Sequence, residues 1–458
     1  MTAEEALQPT LFVIFGITGD LSQRYLLPAL YHLFKEDKLH PETEIIGITR
    51  RDVTAEELFE QVELCVNEVD KVCDPVVLKT MHDHTRMMQM DLGKTEDYTR
   101  LLQTLNAIED EKGLCMNRLY YLSIPPQVYQ PIITQLGAAG LNTSCQHGTA
   151  ATRLLVEKPF GYDLISAQDL IAETAKVFGE EQVFRIDHFL AKDTAQDILK
   201  FRFENPGLAS LWNGDHVESV EIAASEQIGI ERRVNFYEPL GALRDFIQNH
   251  LLQLLAVTLM DQPSTMTSDA IHEARQALLD GLQPVPADQV GQRTIRGQYA
   301  GYREEVSNPD SMTETYADVT LFSSNQRWHD VAFRLWTGKK LSEKKSEVVI
   351  NFKPSGSLLL SIQPTAKIEL SGDPATFPEA LRDAVSQYRP PSNVRNNAYE
   401  RVLMDAVKGD RTLFATSDEV LASWRVLQPV LDEWAKNSSD IITYRPGSQG
   451  PLSAASQP

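Results

Sequence analysis

Four short segments concentrate the residues whose types and spacing can do chemistry. The first is Gly16-Ile17-Thr18-Gly19-Asp20-Leu21, directly after the apolar run Thr10–Phe15. A nucleotide pyrophosphate needs small residues, which let the backbone come close, and free N–H groups at a helix N-terminus facing the anion. The spacing is G-x-x-G-D rather than G-x-G-x-x-G. An ordinary tight turn with Asp20 as helix cap fits that spacing equally well, and the strand–turn–helix context favours the nucleotide. Arg50-Arg51 follows a second apolar run, Glu44–Ile48. An acidic residue at that strand end selects NAD, whereas an Arg accommodates the 2′-phosphate of NADP, so Arg50 points to NADP. The plainer alternative is a solvated Arg pair beside Asp52.

The second segment, Val156-Glu157-Lys158-Pro159-Phe160-Gly161, puts two charges at the end of a buried strand, where ligands bind in doubly wound sheets. Lys158 suits an anionic or hydroxylated substrate; taken alone, a surface Lys before a turn explains it more simply. The third, Arg185–Asp193, clusters Asp187, His188 and Lys192 at an expected domain boundary. Asp beside His can fix a tautomer and stabilise an imidazolium, and Lys192 with His188 can bind phosphate. A boundary loop capped by Asp is the alternative. The fourth, Leu240–Gln253, reads as a helix with His250 on the face of Phe246, Ile247 and Leu254. A lone His on an apolar face is usually a satisfied core residue, and a buried carboxylate partner would convert it into a general base. His82-Asp83-His84 reads as a solvated turn, and no set of metal ligands stands out.

The elements that must position these segments fall into two styles. In the first half, Thr10–Phe15, Glu44–Ile48, Leu119–Ile124, Arg153–Val156 and Val183–Ile186 are apolar runs separated by helical stretches such as Leu21–Phe34. Such runs suit parallel strands buried on both faces. In the second half, Glu218–Ala223, Asp318–Leu321, Asp330–Leu335, Glu347–Phe352, Leu358–Ile362 and Lys367–Leu370 are strand candidates, several alternating in polarity as an antiparallel sheet requires. Long helices are expected over Leu240–Met260, Ser268–Leu282 and Ser417–Ala435. The fold class is α/β plus α+β: a doubly wound domain over residues 1–187, an α+β domain over 188–445, and a disordered tail over 446–458.

With 43 basic and 64 acidic residues the formal net charge is −21, which disfavours nucleic acid and anionic membranes as partners. The same charge sets a puzzle for any anionic substrate. The four cysteines, Cys65, Cys73, Cys115 and Cys145, lack C-x-x-C spacing and are expected as free thiols in a reducing cytoplasm. The N-terminus has no signal-peptide pattern, and the longest apolar run, Leu251–Met260, is too short to span a bilayer. A cytoplasmic location is expected.

Taken in order, GITGDL, EKPFGYD, RIDHFLAKD and GALRDFIQNHLLQ resemble the glucose-6-phosphate dehydrogenase family over roughly the whole chain. The resemblance implies a Rossmann-like coenzyme domain and a larger domain on an antiparallel sheet, commonly used to form a homodimer or homotetramer. It implies hydride transfer from the anomeric carbon of glucose 6-phosphate to NADP, with NAD possible, giving 6-phosphogluconolactone in the first oxidative step of the pentose phosphate pathway. His250 would be the general base and Asp187 its supporting carboxylate. Lys158 would contact both sugar and nicotinamide, His188 and Lys192 the phosphate, and Glu226 and Asp245 the sugar hydroxyls. Lys339, Lys344 and Gln363 would add substrate contacts. Gly16, Thr18, Gly19, Asp20, Leu21, Arg50 and Tyr121 would hold the cofactor, and no metal is implied.

Where the family has Tyr-Leu-Gly, this chain has Phe189-Leu190-Ala191. A phenol hydroxyl to the phosphate is therefore missing, and a raised KM is expected. The chain also ends soon after its last helix, so a second, structural NADP site is not expected. Two other readings stay open: a dehydrogenase of another sugar or sugar phosphate, and a catalytically silent NADP-binding regulatory protein.

Overall fold

The computed structural model describes residues 7–70, 72–144, 150–231, 233–390, 398–437 and 441–451. Two compact units emerge: Met1–Phe160 with Gln168–Ala191 and Asn396–Ser417, and Gly161–Ala167 with Lys192–Arg395 and Asp418–Pro458.

The first unit is built on a sheet of β1 (Thr10–Phe15), β2 (Glu44–Thr49), β3 (Thr85–Gln89), β4 (Asn117–Leu122), β5 (Thr152–Glu157) and β6 (Val183–Ile186). With one late strand, β15 (Phe414–Ala415), the order is β15-β6-β5-β4-β1-β2-β3. Every residue of β1, β2 and β4 is buried, as continuous apolar runs demand of strands covered on both faces. β1 pairs in parallel with β2 on one side and β4 on the other, so the strand order reverses there. Ligands bind at such switch points, outside the carboxyl ends of the strands.

The return of Asn396–Ser417 to this unit departs from the continuous second domain expected over 188–445, whereas the break after Ala191 lies close to the boundary expected at 187. The helix Ala398–Lys408 buries Val402, Leu403, Ala406 and Val407 in the same core as Leu27, Leu30 and Tyr31. Arg153 donates to the carbonyls of Ala406 and Val407, and β15 pairs antiparallel with β6.

The second unit carries β7 (Val217–Ser225), β8 (Leu282–Gln283), β9 (Thr294–Tyr299), β10 (Tyr316–Ser323), β11 (Ala332–Gly338), β12 (Lys345–Phe352), β13 (Ser357–Gln363), β14 (Lys367–Ser371) and β16 (Ile442–Tyr444). The sheet order is β14-β13-β12-β7-β11-β10-β9-β16, with β8 on β10. It is mostly antiparallel, as expected, but β7 pairs with β11 in parallel, and β16 with β9 likewise.

The expected tail is ordered as far as Pro451. Ser448 bridges to Leu341, and Gly447 N–H donates to the Lys340 carbonyl at 2.7 Å, so backbone pairing holds a segment whose composition alone suggested disorder. Residues 452–458 lie outside the described residues. Cys65 and Cys73 are free thiols, whereas Cys115 is disulfide-bonded, against expectation. The absence of C-x-x-C spacing says nothing about thiols distant in sequence. Cys145 lies outside the described residues. His82 and Asp83 close the helix Pro75–Asp83 rather than forming a turn. Among the described residues no helix is long and apolar enough to cross a membrane.

Candidate active site

In the first unit, the turn after β1 is fixed by backbone geometry. Gly16 has φ +81°, and a Cβ there would lie 2.3 Å from the Ser123 carbonyl oxygen, so only glycine fits. Gly16 N–H donates to the Ile48 carbonyl at 3.0 Å, and the Ser22 hydroxyl lies within hydrogen-bond reach of the Gly16 carbonyl and the Ser123 hydroxyl. The turn is thereby tied to the ends of β2 and β4. A cavity of about 300 Å³ opens above it, lined by Gly16, Thr18, Gly19, Thr49, Arg50 and Ser123 among others.

The exposed Arg50 sits at the end of β2, where a ribose 2′-phosphate would be met. Its neighbour Arg51 donates to the Thr18 carbonyl at 3.1 Å and so braces the turn from the same strand end. Asp20 is exposed and pairs with Arg24 at 2.8 Å. Leu21 packs against the core, leaving its backbone for any cofactor contact. Tyr121 is not on the cavity wall: its ring is buried, and its hydroxyl donates to Glu157 Oε1 at 2.5 Å.

Parallel register sets Glu157, the last residue of β5, opposite Ile186, the last residue of β6. Lys158, Asp187 and His188 therefore come together at adjacent strand ends. The Lys158–Pro159 peptide is cis. Asp187 is 2% exposed, and its Oδ1 accepts the Phe189 N–H at 2.9 Å. The edge of the His188 ring meets Phe189 at a centroid distance of 5.1 Å. Removal from water pushes the Glu157 carboxyl up to about 7, and the negative charge of Asp187 adds to this. The Tyr121 and Tyr399 hydroxyls and the Lys158 ammonium oppose it.

In the second unit, Asp245 and His250 lie on one buried helical segment. Leu243–Leu251 winds as a π-helix and continues as the α-helix Leu252–Leu259. Wider turns of this kind recur at functional sites. His250 is 1% exposed, with Phe246 edge-on at 5.2 Å. The segment's start is held by Glu314, whose Oε1 accepts the Leu243 N–H at 3.0 Å and whose carbonyl accepts the Ala242 N–H at 2.9 Å. Burial pushes the Glu314 carboxyl up, and the positive charge of Arg244 opposes the rise.

Glu226 and Lys339 follow β7 and β11. The parallel pairing of those strands places Ser225 opposite Gly338 and so brings the two residues into an ion pair. The Lys339 ammonium also lies 5.0 Å over the Tyr237 ring. Tyr237 is buried, and its phenol is pushed well up by burial and further by the charge of Asp245, which links that residue to the pair. Lys344 is exposed just before β12, and Gln363 ends β13 opposite Ser346. Lys192 immediately precedes the helix Asp193–Phe203 and makes no side-chain cap to it. Sequence reasoning gave no role to Glu157, Tyr237, Glu314 or Tyr399. Of these only Glu157 left a signal, as a charge at the end of a buried strand.

Two family models match: the NAD-binding domain of glucose-6-phosphate dehydrogenase over residues 13–197, and its C-terminal domain over residues 199–457. Glucose-6-phosphate 1-dehydrogenase of Mycolicibacterium smegmatis is 35% identical, covering 98% of this chain and 96% of its own. A solved glucose-6-phosphate dehydrogenase in complex with its substrate glucose 6-phosphate superposes with a TM-score of 0.85 at 28% identity, covering 98% and 97% of the two chains. Glucose-6-phosphate 1-dehydrogenase from Mycobacterium avium superposes with a TM-score of 0.80 at 32% identity, covering 97% and 96%.

Proposed function

The chain belongs to the glucose-6-phosphate dehydrogenase family, and from that premise we propose that it oxidises glucose 6-phosphate at the anomeric carbon, with NADP as acceptor. The observation that carries this reading is the cavity of about 300 Å³ at Gly16, a glycine no side chain can replace, with Arg50 at the next strand end. That cavity fits NADP: the helix start that follows the turn for the pyrophosphate and Arg50 for the 2′-phosphate. NADP, when bound, supplies the hydride acceptor. NAD remains a weaker alternative, because Arg50 only adds a contact.

The chain's own residues handle the proton and the sugar. As the C1 hydride leaves, the C1 hydroxyl proton passes to His250, and the lactone carbonyl forms. We assign Asp187 to stabilising the resulting imidazolium, whose charge develops only in the transition state. His188, Lys192 and Lys344 are assigned to the phosphate and neighbouring oxygens, Asp245 and the Glu226–Lys339 pair to hydroxyls, Gln363 to a further polar contact, and Lys158 to both sugar and nicotinamide. We further propose that the enzyme works in the cytoplasm as a homodimer or homotetramer built on the large sheet.

The test is NADP reduction by glucose 6-phosphate followed at the NADPH absorbance. His250→Asn should lower kcat by several orders of magnitude with little change in NADP or sugar binding. A variant within tenfold of wild type overturns the assigned base. Phe189, which lacks the family's hydroxyl, also favours testing other sugars: a higher kcat/KM for glucose or galactose 6-phosphate would replace the substrate assignment.

A further inference from the structure

The turn at the end of β1 and Arg50 at the end of β2 mark the side of the sheet for the adenosine half of a dinucleotide. The cavity reaches the other way to Ser123 and Pro125, just beyond β4. The next strand in that direction is β5, which ends at Glu157. A carboxylic acid thus stands on the nicotinamide side of the sheet. Its surroundings come from every element packed on it. Tyr121 of β4 donates to its Oε1 at 2.5 Å, and Tyr399 of the helix Ala398–Lys408 hydrogen-bonds it as well. The Tyr129 hydroxyl donates to its backbone carbonyl at 3.2 Å, and Lys158 and Asp187 act on it through their charges. Tyr399 in turn stacks on Tyr25, in the helical turn that follows the glycine turn, at 5.4 Å.

The oxidised nicotinamide ring carries a positive charge and the reduced ring does not, whereas the two forms share every phosphate. We propose that Glu157 is a positioning residue that discriminates the two oxidation states of the cofactor: its carboxylate favours the cationic ring, and its protonation removes the preference. Tyr121 and Tyr399 hold the carboxyl in place and favour its charged form. Because the group titrates at about 7, the discrimination changes across neutral pH. This inference rests on the reading that the unit binds NADP.

The experiment measures Kd for NADP and for NADPH on the full chain between pH 5.5 and 8.5, in wild type, Glu157→Gln and Tyr399→Phe. The 2′-phosphate titrates in both ligands and cancels in the ratio. In wild type, Kd(NADP)/Kd(NADPH) should fall about tenfold as pH rises through neutrality, the scale of one unit charge acting at an intermediate effective dielectric. Glu157→Gln should make the ratio flat, and Tyr399→Phe should move its midpoint to higher pH. A wild-type ratio that does not change with pH, or a slope that survives Glu157→Gln, overturns the inference while leaving NADP binding intact. Failure of both ligands to bind wild type overturns the cofactor reading itself.

Discussion

Replacing Glu314 by Ala tests whether the segment bearing Asp245 and His250 is positioned from its start. The carboxylate is 5% exposed and accepts the Leu243 N–H at 3.0 Å. Gly241, at φ +70°, makes room for it: a Cβ there would lie 2.4 Å from Glu314 Oε1. A hydrogen bond to a charged group is worth about 1.5–3 kcal/mol. Burial already disfavours the charged form at this site, so about 2 kcal/mol is the better figure. The bonds from the Ala242 N–H and the Tyr237 hydroxyl to the Glu314 backbone carbonyl survive truncation, so the fold persists. With Leu243 released, the first turn of the segment loosens and Asp245, two residues on, loses its fixed place. About 1.4 kcal/mol of that loss expressed in the transition state lowers kcat/KM for glucose 6-phosphate tenfold. Steady-state kinetics, a thermal melt and NADP titration together separate the outcomes. NADP affinity should not change, because the glycine turn belongs to the other unit. Glu314→Gln, which keeps an oxygen acceptor, should recover most of the activity. A Glu314→Ala enzyme that melts early yet keeps kcat/KM within twofold refutes the positioning role. So does a Gln variant as poor as Ala, which would assign the effect to charge.

Gly16→Ala forces a Cβ to within 2.3 Å of a backbone oxygen at a positive φ, so NADP binding should weaken at least tenfold and the apparent Tm should drop; unchanged NADP affinity would remove the turn from the cofactor site. Phe189→Tyr should lower KM for glucose 6-phosphate while leaving kcat unchanged, and an unaltered kcat/KM would sink the account of the missing phenol. Without cofactor, the Glu157 carboxyl titrates at about 7 in the folded chain, above an ordinary value of 4.5, so stability falls as pH rises between those values. Glu157→Gln should therefore gain Tm relative to wild type at pH 8 but not at pH 4.5, and equal differences at both would contradict the raised value.

The parts of the molecule legible in the sequence are those set by short-range chemistry. The glycine turn announces itself because a strand, two glycines and a helix lie within a dozen residues, and the structure keeps them together. β3 escapes because an edge strand reading Thr-Arg-Met-Met-Gln, with only Thr85 buried, carries no continuous apolar run. The helix Ala398–Lys408 and β15 join the first unit by packing against residues hundreds of positions earlier, which periodicity cannot register. The π winding of Leu243–Leu251 is equally hidden, because apolar residues at helical spacing do not distinguish it from an α-helix. Tyr121 was legible as a site residue only by resemblance, and its structural partner, Glu157, is a strand neighbour that no local motif pairs with it.

The Glu226–Lys339 pair frees one part of the proposed site, the part assigned to sugar hydroxyls, from the net charge of −21. A sugar hydroxyl needs an acceptor and a donor, and an ion pair offers both with no net charge, so this part of the site is indifferent to the overall field. Lys339 is 3% exposed, and its charge is compensated by Glu226 directly and by the Tyr237 ring face. Distant acidic residues are screened over about 8 Å at physiological salt, whereas the buried pair is not. Glu226→Gln would therefore strand the Lys339 charge rather than merely delete a hydrogen bond. The expected result is a raised KM together with a lower Tm, and restoration of Tm but not KM in the double variant Glu226→Gln with Lys339→Met. If the single variant raised KM without loss of Tm, the pair would be a substrate contact alone and its electrostatic compensation would be refuted.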